Sequence, residues 1–417
     1  MKFRKIVITM FVIISLIIFM LMAVGCDKNS PIDSGRSAII IIPGIQGSVL
    51  YDPETNESVW AAETGNDVMQ LANSLETGKM DFHEDGYPAN EISMRLLAPD
   101  FFTAPDNWKY GVNLEQLATI PALGLTPTVI KGLVLSIEDK YKDDDTDVLV
   151  YQYDWRQSNV TEAEKLEKYI NDHNYTDVKF VVHSMGGILA SQYLARSQSN
   201  IERCSLFVSI STPYLGSSEI TKYLVTNKLP GSIFSLKIGV NYPSAFEILP
   251  FIQFNETEHF ESHQTSLIVD GDYKSYDEAI EFFKTGTSWG KKADGSPKIM
   301  FNSLSSYYQA MFLSDGSHIT SLVNSYYIQG TGRPTTVTVS FEDGNYIAEN
   351  DIKQDLGDGI VPLYSGICGL SVDAENVILI QEDPSLPNDE GYVGHMALPS
   401  QPRTIEEVLR LLELVIG

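Results

Sequence analysis

Val178-Lys179-Phe180-Val181-Val182-His183-Ser184-Met185-Gly186-Gly187 decides how this chain is read. An apolar strand run, Val178 to Val182, enters the motif, and a helical pattern, Gly186 to Ser197, leaves it. A sharp strand-to-helix turn of this kind strains the serine backbone and lifts its hydroxyl above the sheet edge. Small residues two before and two after the serine let strand and helix approach. Gly186 meets the second need, whereas Val182 stands where the first would place glycine. Ser-x-Gly occurs by chance in many chains, so the rest of the sequence must supply partners.

Working outward, Ser37 to Ile42 is a largely β-branched run, the pattern of a strand buried on both faces. It stops at the glycine-punctuated turn Pro43-Gly44-Ile45-Gln46-Gly47-Ser48. A helix is expected over Thr126 to Tyr141, and a strand over Val148 to Tyr151 leads into Tyr153-Asp154-Trp155-Arg156. A charged amphipathic helix follows over Thr161 to His173. Cys204 to Ile210 is a further strand, ending in Ser211-Thr212-Pro213. Strands alternating with helices from Ser37 to Pro213 define an α/β fold, a mostly parallel central sheet with helices on both faces. From about 219 to 317 the alternation is lost, so one domain over 37–417 is expected to carry an inserted cap or lid there. Strands resume at Tyr326 to Gln329 and Asn376 to Ile380, with a hairpin over 336–340 and 346–348 around Gly344. An amphipathic helix, Ile405 to Val415, closes the chain.

A serine is nucleophilic near neutral pH only beside a base. On a strand-turn-helix serine motif the partners follow in the order acid, then histidine. Asp358 in Gly357-Asp358-Gly359-Ile360-Val361-Pro362 is the expected acid, because its flanking glycines suit a tight loop that aims a short side chain. Asp351 and Asp355 compete with it less well. His395, in Gly394-His395-Met396-Ala397, follows the last strand and is the expected base. It would take the Ser184 proton while Asp358 holds the imidazole tautomer. The oxyanion hole would use the backbone N–H of Met185 with that of Ile45, or Gln46 next to it. Each donor is worth about 3 kcal/mol to a transition state. Among the other histidines, His183 reads as packing, since neighbouring side chains on a sharp turn diverge. His83, His173, His259, His263 and His318 lack a strand-end setting. His259 and His263 flank Glu261 in an order unlike that of helical zinc sites. Asp143-Asp144-Asp145 with Asp147 lacks the glycine and distal glutamate of a calcium loop and reads as a solvated turn. No metal or organic cofactor is expected.

The 417 residues carry a formal net charge of -26. Nucleic acid is therefore no partner, since phosphate binding needs clustered Lys and Arg. Docking on anionic lipid by charge alone is disfavoured for the same reason. Lys2, Arg4 and Lys5 precede an apolar run from Ile6 to Val24, and Leu21-Met22-Ala23-Val24-Gly25-Cys26 resembles a bacterial lipobox. That resemblance implies a signal peptide over 1–25, lipid attachment at Cys26, a tether over 26–36, and an extracytoplasmic enzyme held at the bacterial membrane. An uncleaved apolar anchor is the alternative. Cys204 and Cys368 could pair or stay single, and the apolar run around Cys204 favours burial.

Ile42 to Ser48, Tyr153 to Arg156, Val182 to Gly187 and Gly357 to Pro362 together resemble the lecithin:cholesterol acyltransferase-like family of α/β-hydrolases, as does Pro243-Ser244-Ala245-Phe246-Glu247-Ile248-Leu249-Pro250. With His395 these segments span most of the chain from Ser37 onward. The resemblance implies a serine acyl-hydrolase on ester lipids, with catalytic Ser184, Asp358 and His395 and a first oxyanion donor at Ile45. The acyl group would pass to water or to an alcohol or sterol acceptor. Asp154 and Arg156 are read as a mutual brace, and Trp60 as an acyl-chain contact. The rival readings are an O-acyltransferase, an inert envelope scaffold that kept the fold, and an amidase or peptidase, against which the Asp-Trp-Arg element weighs.

Overall fold

In the computed structural model the described residues are 35–55, 57–60, 79–86, 88–94, 129–226, 241–250, 267–288, 290–347, 352–353, 357–386 and 391–414. Ile39 to Ile42, in strand β1 (Arg36–Ile42), are sealed from water. Successive strand side chains point to opposite faces, so such a run is buried only where both faces of the sheet are covered. Each isoleucine so buried is worth about 1.5–3 kcal/mol. The other strands of this sheet are β2 (Thr146–Val150), β3 (Tyr175–His183), β4 (Cys204–Ile210), β5 (Ser325–Thr331) and β6 (Val377–Gln381). The order is β6-β5-β4-β3-β1-β2 and every pairing is parallel.

Helix α1 (Lys131–Tyr141) follows β1, α2 (Asn159–Asp172) follows β2, α3 (Met185–Arg196) follows β3, and α4 (Pro402–Glu413) closes the domain. α1 packs on α4, and Lys140 pairs with Glu413 between them. α2 packs on α3, and Arg196 joins them by bonds to Glu164 at 3.1 Å and Glu167 at 2.7 Å. The chain steps one way from β1 to β2 and the other way from β3 to β4. Right-handed crossovers therefore put α1 and α3 on opposite faces. The carboxyl ends of β1 and β3 then flank a topological switch point, where open α/β sheets form their crevice.

α2 begins two residues before the periodicity places it, because the Ser158 hydroxyl accepts the Val160 N–H at 3.2 Å and caps the helix there. The expected hairpin forms over Val339–Glu342 and Asn345–Ile347, a shifted register. Asp343 and Gly344, at φ 48° and 75°, make the two-residue turn that fixes it. Between β4 and β5 lie helices Ser218–Thr226, Pro243–Glu247, Tyr276–Glu281 and Phe301–Met311, with strands Leu267–Val269 and Asp272–Tyr273. Leu267–Val269 pairs in parallel with Val339–Phe341, so this segment and the hairpin after β5 share one four-stranded sheet. Cys204 is buried, Cys368 half-buried, and both thiols are free.

Asp154-Trp155-Arg156 is a buried brace. Arg156 Nε and Nη2 donate to the two Asp154 carboxylate oxygens, both at 2.8 Å. The guanidinium lies 4.9 Å over the Phe82 ring. Trp155 meets Trp60 and Tyr242 edge-on, and its carbonyl accepts the Ser244 hydroxyl at 2.7 Å. The Glu247 carboxylate accepts from the Ser158 hydroxyl and from the backbone and side-chain N–H groups of Asn159. Pro243–Glu247 is thereby fastened both to the Asp-Trp-Arg loop and to the positive end of α2. Arginine cannot shed its proton, so Asp154→Ala strands a buried cation. We expect it to cost roughly 3–5 kcal/mol in urea unfolding. Adding Arg156→Met should recover much of that loss.

Candidate active site

Ser184 lies between β3 and α3 with φ 53° and ψ -130°, a conformation that residues bearing a Cβ rarely adopt. Its N–H donates to the Ile210 carbonyl at 3.0 Å, and its own carbonyl accepts from Gly187 N–H at 3.0 Å. A Cβ at Gly186 would stand 2.4 Å from the Ile42 carbonyl oxygen, and one at Gly44 would stand 2.6 Å from Ser184 Cβ. Val182 is tolerated because it remains a regular β3 residue, paired between Ile42 and Ser209. The crowding falls on the helix side, where Gly186 and Gly187 absorb it; a Cβ at Gly187 would stand 2.0 Å from Thr212 Oγ1.

The loops after β5 and β6 bring the expected partners to this serine. His395 Nε2 is 2.9 Å from Ser184 Oγ, and His395 Nδ1 is 2.7 Å from Asp358 Oδ2. The carboxylate can only accept, so Nδ1 carries the proton and Nε2 presents its lone pair to the hydroxyl. The second Asp358 oxygen accepts from the N–H groups of Ile360 at 3.0 Å and Val361 at 2.8 Å. Burial alone would raise the Asp358 carboxyl. The His395 ring and those two N–H groups outweigh burial and hold it below the usual carboxylate range. The main chain is tied as well, with His395 N–H donating to the Asp358 carbonyl at 3.0 Å. Asp351 and Asp355 lie outside the described residues.

Met185 is the first residue of α3, so its N–H has no acceptor within the helix and sits at the helix's positive end. Ile45 and Gln46 are half-buried in the turn beyond β1. That turn is pinned on several sides. Gly47 N–H donates to the Gly44 carbonyl at 3.0 Å, and Tyr153 Oη to the Pro43 carbonyl at 3.0 Å. Tyr153 N–H donates to Ser48 Oγ, and Val49 N–H to Gln152 Oε1, both at 3.1 Å. Trp60 belongs to this scaffold. Its ring is fully buried, 5.1 Å edge-on to Trp155, and its indole N–H donates to the Gln46 carbonyl at 3.1 Å. An acyl chain would reach Trp60 only if that packing opened.

His183, expected only to pack, meets His395 directly: its Nε2 is 3.1 Å from the His395 carbonyl oxygen. Nothing in the sequence marks that contact, because 212 positions separate the two residues. His83 is exposed, His173 stacks with Tyr175, and His318 is buried against Thr320, while His259 and His263 lie outside the described residues. Cys26 and residues 1–25 also lie outside them. Among the described residues no group of His, Cys, Asp or Glu is arranged to hold a metal, and no helix is long and apolar enough to cross a membrane.

A serine at a strained strand-to-helix turn, on the switch point of a parallel sheet, places the fold among the α/β-hydrolases. The family model described as lecithin:cholesterol acyltransferase matches residues 129–291, which include Asp154-Trp155-Arg156, Ser184 and the Pro243 segment. The expected resemblance is thus met over that part of the chain. Among solved structures, the Tle4–Tli4 complex aligns with a TM-score of 0.59 at 14% identity, over 91% of this chain and 98% of that one. It shares the fold. A Bacillus licheniformis lipase, BlEst2 in mature form, aligns at 0.36 and 10% identity, over 91% of this chain and 93% of that one. The lin2722 gene product of Listeria innocua aligns at 0.33 and 11%, over 91% and 94%. No match is found among curated proteins.

A carboxyl held below its free value of 3.8 contributes stability that is complete above that pH and is lost as pH falls through the folded value. Asp358→Asn is therefore expected to destabilise most near neutral pH, with the gap to the parent narrowing below pH 3.8. Urea unfolding as a function of pH checks this, and a gap constant with pH would contradict it.

Proposed function

We propose that the chain is a serine acyl-hydrolase acting on ester lipids through an acyl-Ser184 intermediate. The observation that carries this reading is the unbroken hydrogen-bond chain Asp358–His395–Ser184, at 2.7 and 2.9 Å, on the switch point of the sheet. His395 Nε2 takes the hydroxyl proton as Ser184 Oγ attacks the ester carbonyl, and Asp358 stabilises the imidazolium that forms. The tetrahedral oxyanion is received by Met185 N–H together with that of Ile45 or Gln46. The tetrahedral adduct collapses, and His395 returns the proton to the departing alcohol. A water, deprotonated by His395, then releases the acid and restores Ser184.

The family match supports ester lipids as the substrate class, and it also supports a second reading. An alcohol or sterol acceptor in place of water would yield a new ester from the same acyl-enzyme. A lipid on Cys26 would hold the enzyme at a membrane surface outside the cytoplasm, where such substrates concentrate. Metabolic labelling with a fatty-acid analogue, lost in Cys26→Ser, tests that anchor.

Ser184→Ala is expected to abolish ester turnover and fluorophosphonate labelling while the protein stays folded by circular dichroism. Activity retained in the purified variant would overturn the assignment. A series of ester chain lengths, with a sterol present in one arm, separates hydrolysis from transfer by the product formed.

A further inference from the structure

Three chain segments converge around the His183 ring: the turn after β1, the end of β3 and the loop carrying His395. A Cβ at Gly44 would stand 3.4 Å from His183 Nδ1, and Nε2 lies 3.1 Å from the His395 carbonyl oxygen on the other side. A carbonyl only accepts, so the His183 proton must sit on Nε2. The His183 and His395 rings are 4.8 Å apart, tilted by 37°. We propose that His183 is a positioning residue for the base: its Nε2–H, donated to the main-chain carbonyl of His395, sets the reach from that imidazole to Ser184 Oγ. The inference rests on reading Ser184, Asp358 and His395 as a triad.

The contact completes a four-point mounting of His395. Its N–H is held by the Asp358 carbonyl, its carbonyl by His183, its Nδ1 by the Asp358 carboxylate, and its Nε2 faces Ser184 Oγ. Two of these four contacts come from adjacent residues of β3 and its turn, so one rigid strand end fixes both the nucleophile and the backbone of its base. Neutrality is part of the arrangement. Burial, and then the His395 ring, push the His183 imidazole down to about 3, against the pull of Asp358. His183 therefore stays uncharged while His395 alternates between imidazole and imidazolium. A second cation at that separation would oppose the proton transfer on which the reaction depends.

The test uses the full chain. His183→Gln keeps an amide N–H at about the reach of Nε2, and His183→Met keeps the length without the donor. Misplacement on the order of 1 Å costs about a hundredfold in rate. The Met variant is therefore expected to lose about tenfold to hundredfold in kcat and in fluorophosphonate labelling of Ser184, with KM within about twofold. The Gln variant should recover most of the loss. Unchanged rates in the Met variant, or equal losses in both, would overturn the proposal. Nitrogen NMR on the unaltered protein needs no variant to fold. His183 is expected to hold its proton on Nε2 and stay neutral from about pH 5 to about pH 9, a window in which an ordinary histidine titrates. A proton on Nδ1, or titration in that window, would also overturn it. Failure of the unaltered protein to label speaks instead against the triad reading, since the tautomer is read separately.

Discussion

The contact between α3 and the carboxyl end of β1 governs the geometry of this molecule. Gly186 lies so close to the Ile42 and Pro43 carbonyls that no side chain fits, and Gly44 is pressed equally hard against Ser184. That proximity goes with the positive φ of Ser184, whose hydroxyl meets His395 Nε2. The strain is supported by the packed sheet beneath, where Val182 and its neighbours are completely buried. A floppier scaffold would relax the serine to an ordinary backbone conformation and lose the alignment with His395.

A second tier of structure keeps the turn beyond β1 in place. Tyr153 clamps Pro43 and Ser48, Trp60 clamps Gln46, and Trp155 packs against Trp60. The bidentate Asp154–Arg156 pair stiffens the loop that supplies Tyr153 and Trp155. Through Ser244 the same loop holds Pro243–Glu247, which Glu247 also ties to the start of α2. Segments far apart in sequence thus form one support under the two loops that would face an oxyanion.

The sheet was legible because β-branched runs such as Ile39–Ile42 mark strands buried on both faces, and the glycines around Asp358 mark a tight loop. Ser184, Asp358 and His395 could be named because each follows a strand and their order is fixed by the topology. The His183 contact was not legible, since a hydrogen bond to a distant carbonyl leaves no trace in residue type. Trp60 misdirects for a related reason. An aromatic residue in an irregular stretch looks like a ligand contact, whereas its indole N–H is spent on the Gln46 carbonyl. The role of Glu247 was hidden too, because a buried carboxylate over a helix start becomes meaningful only once α2 is placed opposite it. The hairpin register was missed because apolar runs alone placed its strands over 336–340 and 346–348, whereas Asp343-Gly344, a dipeptide suited to a two-residue turn, fixes it.

The hydrogen bond from His395 to Ser184 joins residues 211 positions apart. Parallel strands cannot be joined by tight hairpins, so each pairing in this sheet waits on a long excursion of the chain, and such topologies fold slowly. His395 comes within reach of Ser184 only where β6 is docked on β5 and the loop beyond it lies against β3. Bringing Ser184 to His395 thus depends on the longest-range closures of this topology, and a chain in which β6 has not docked holds the two residues apart.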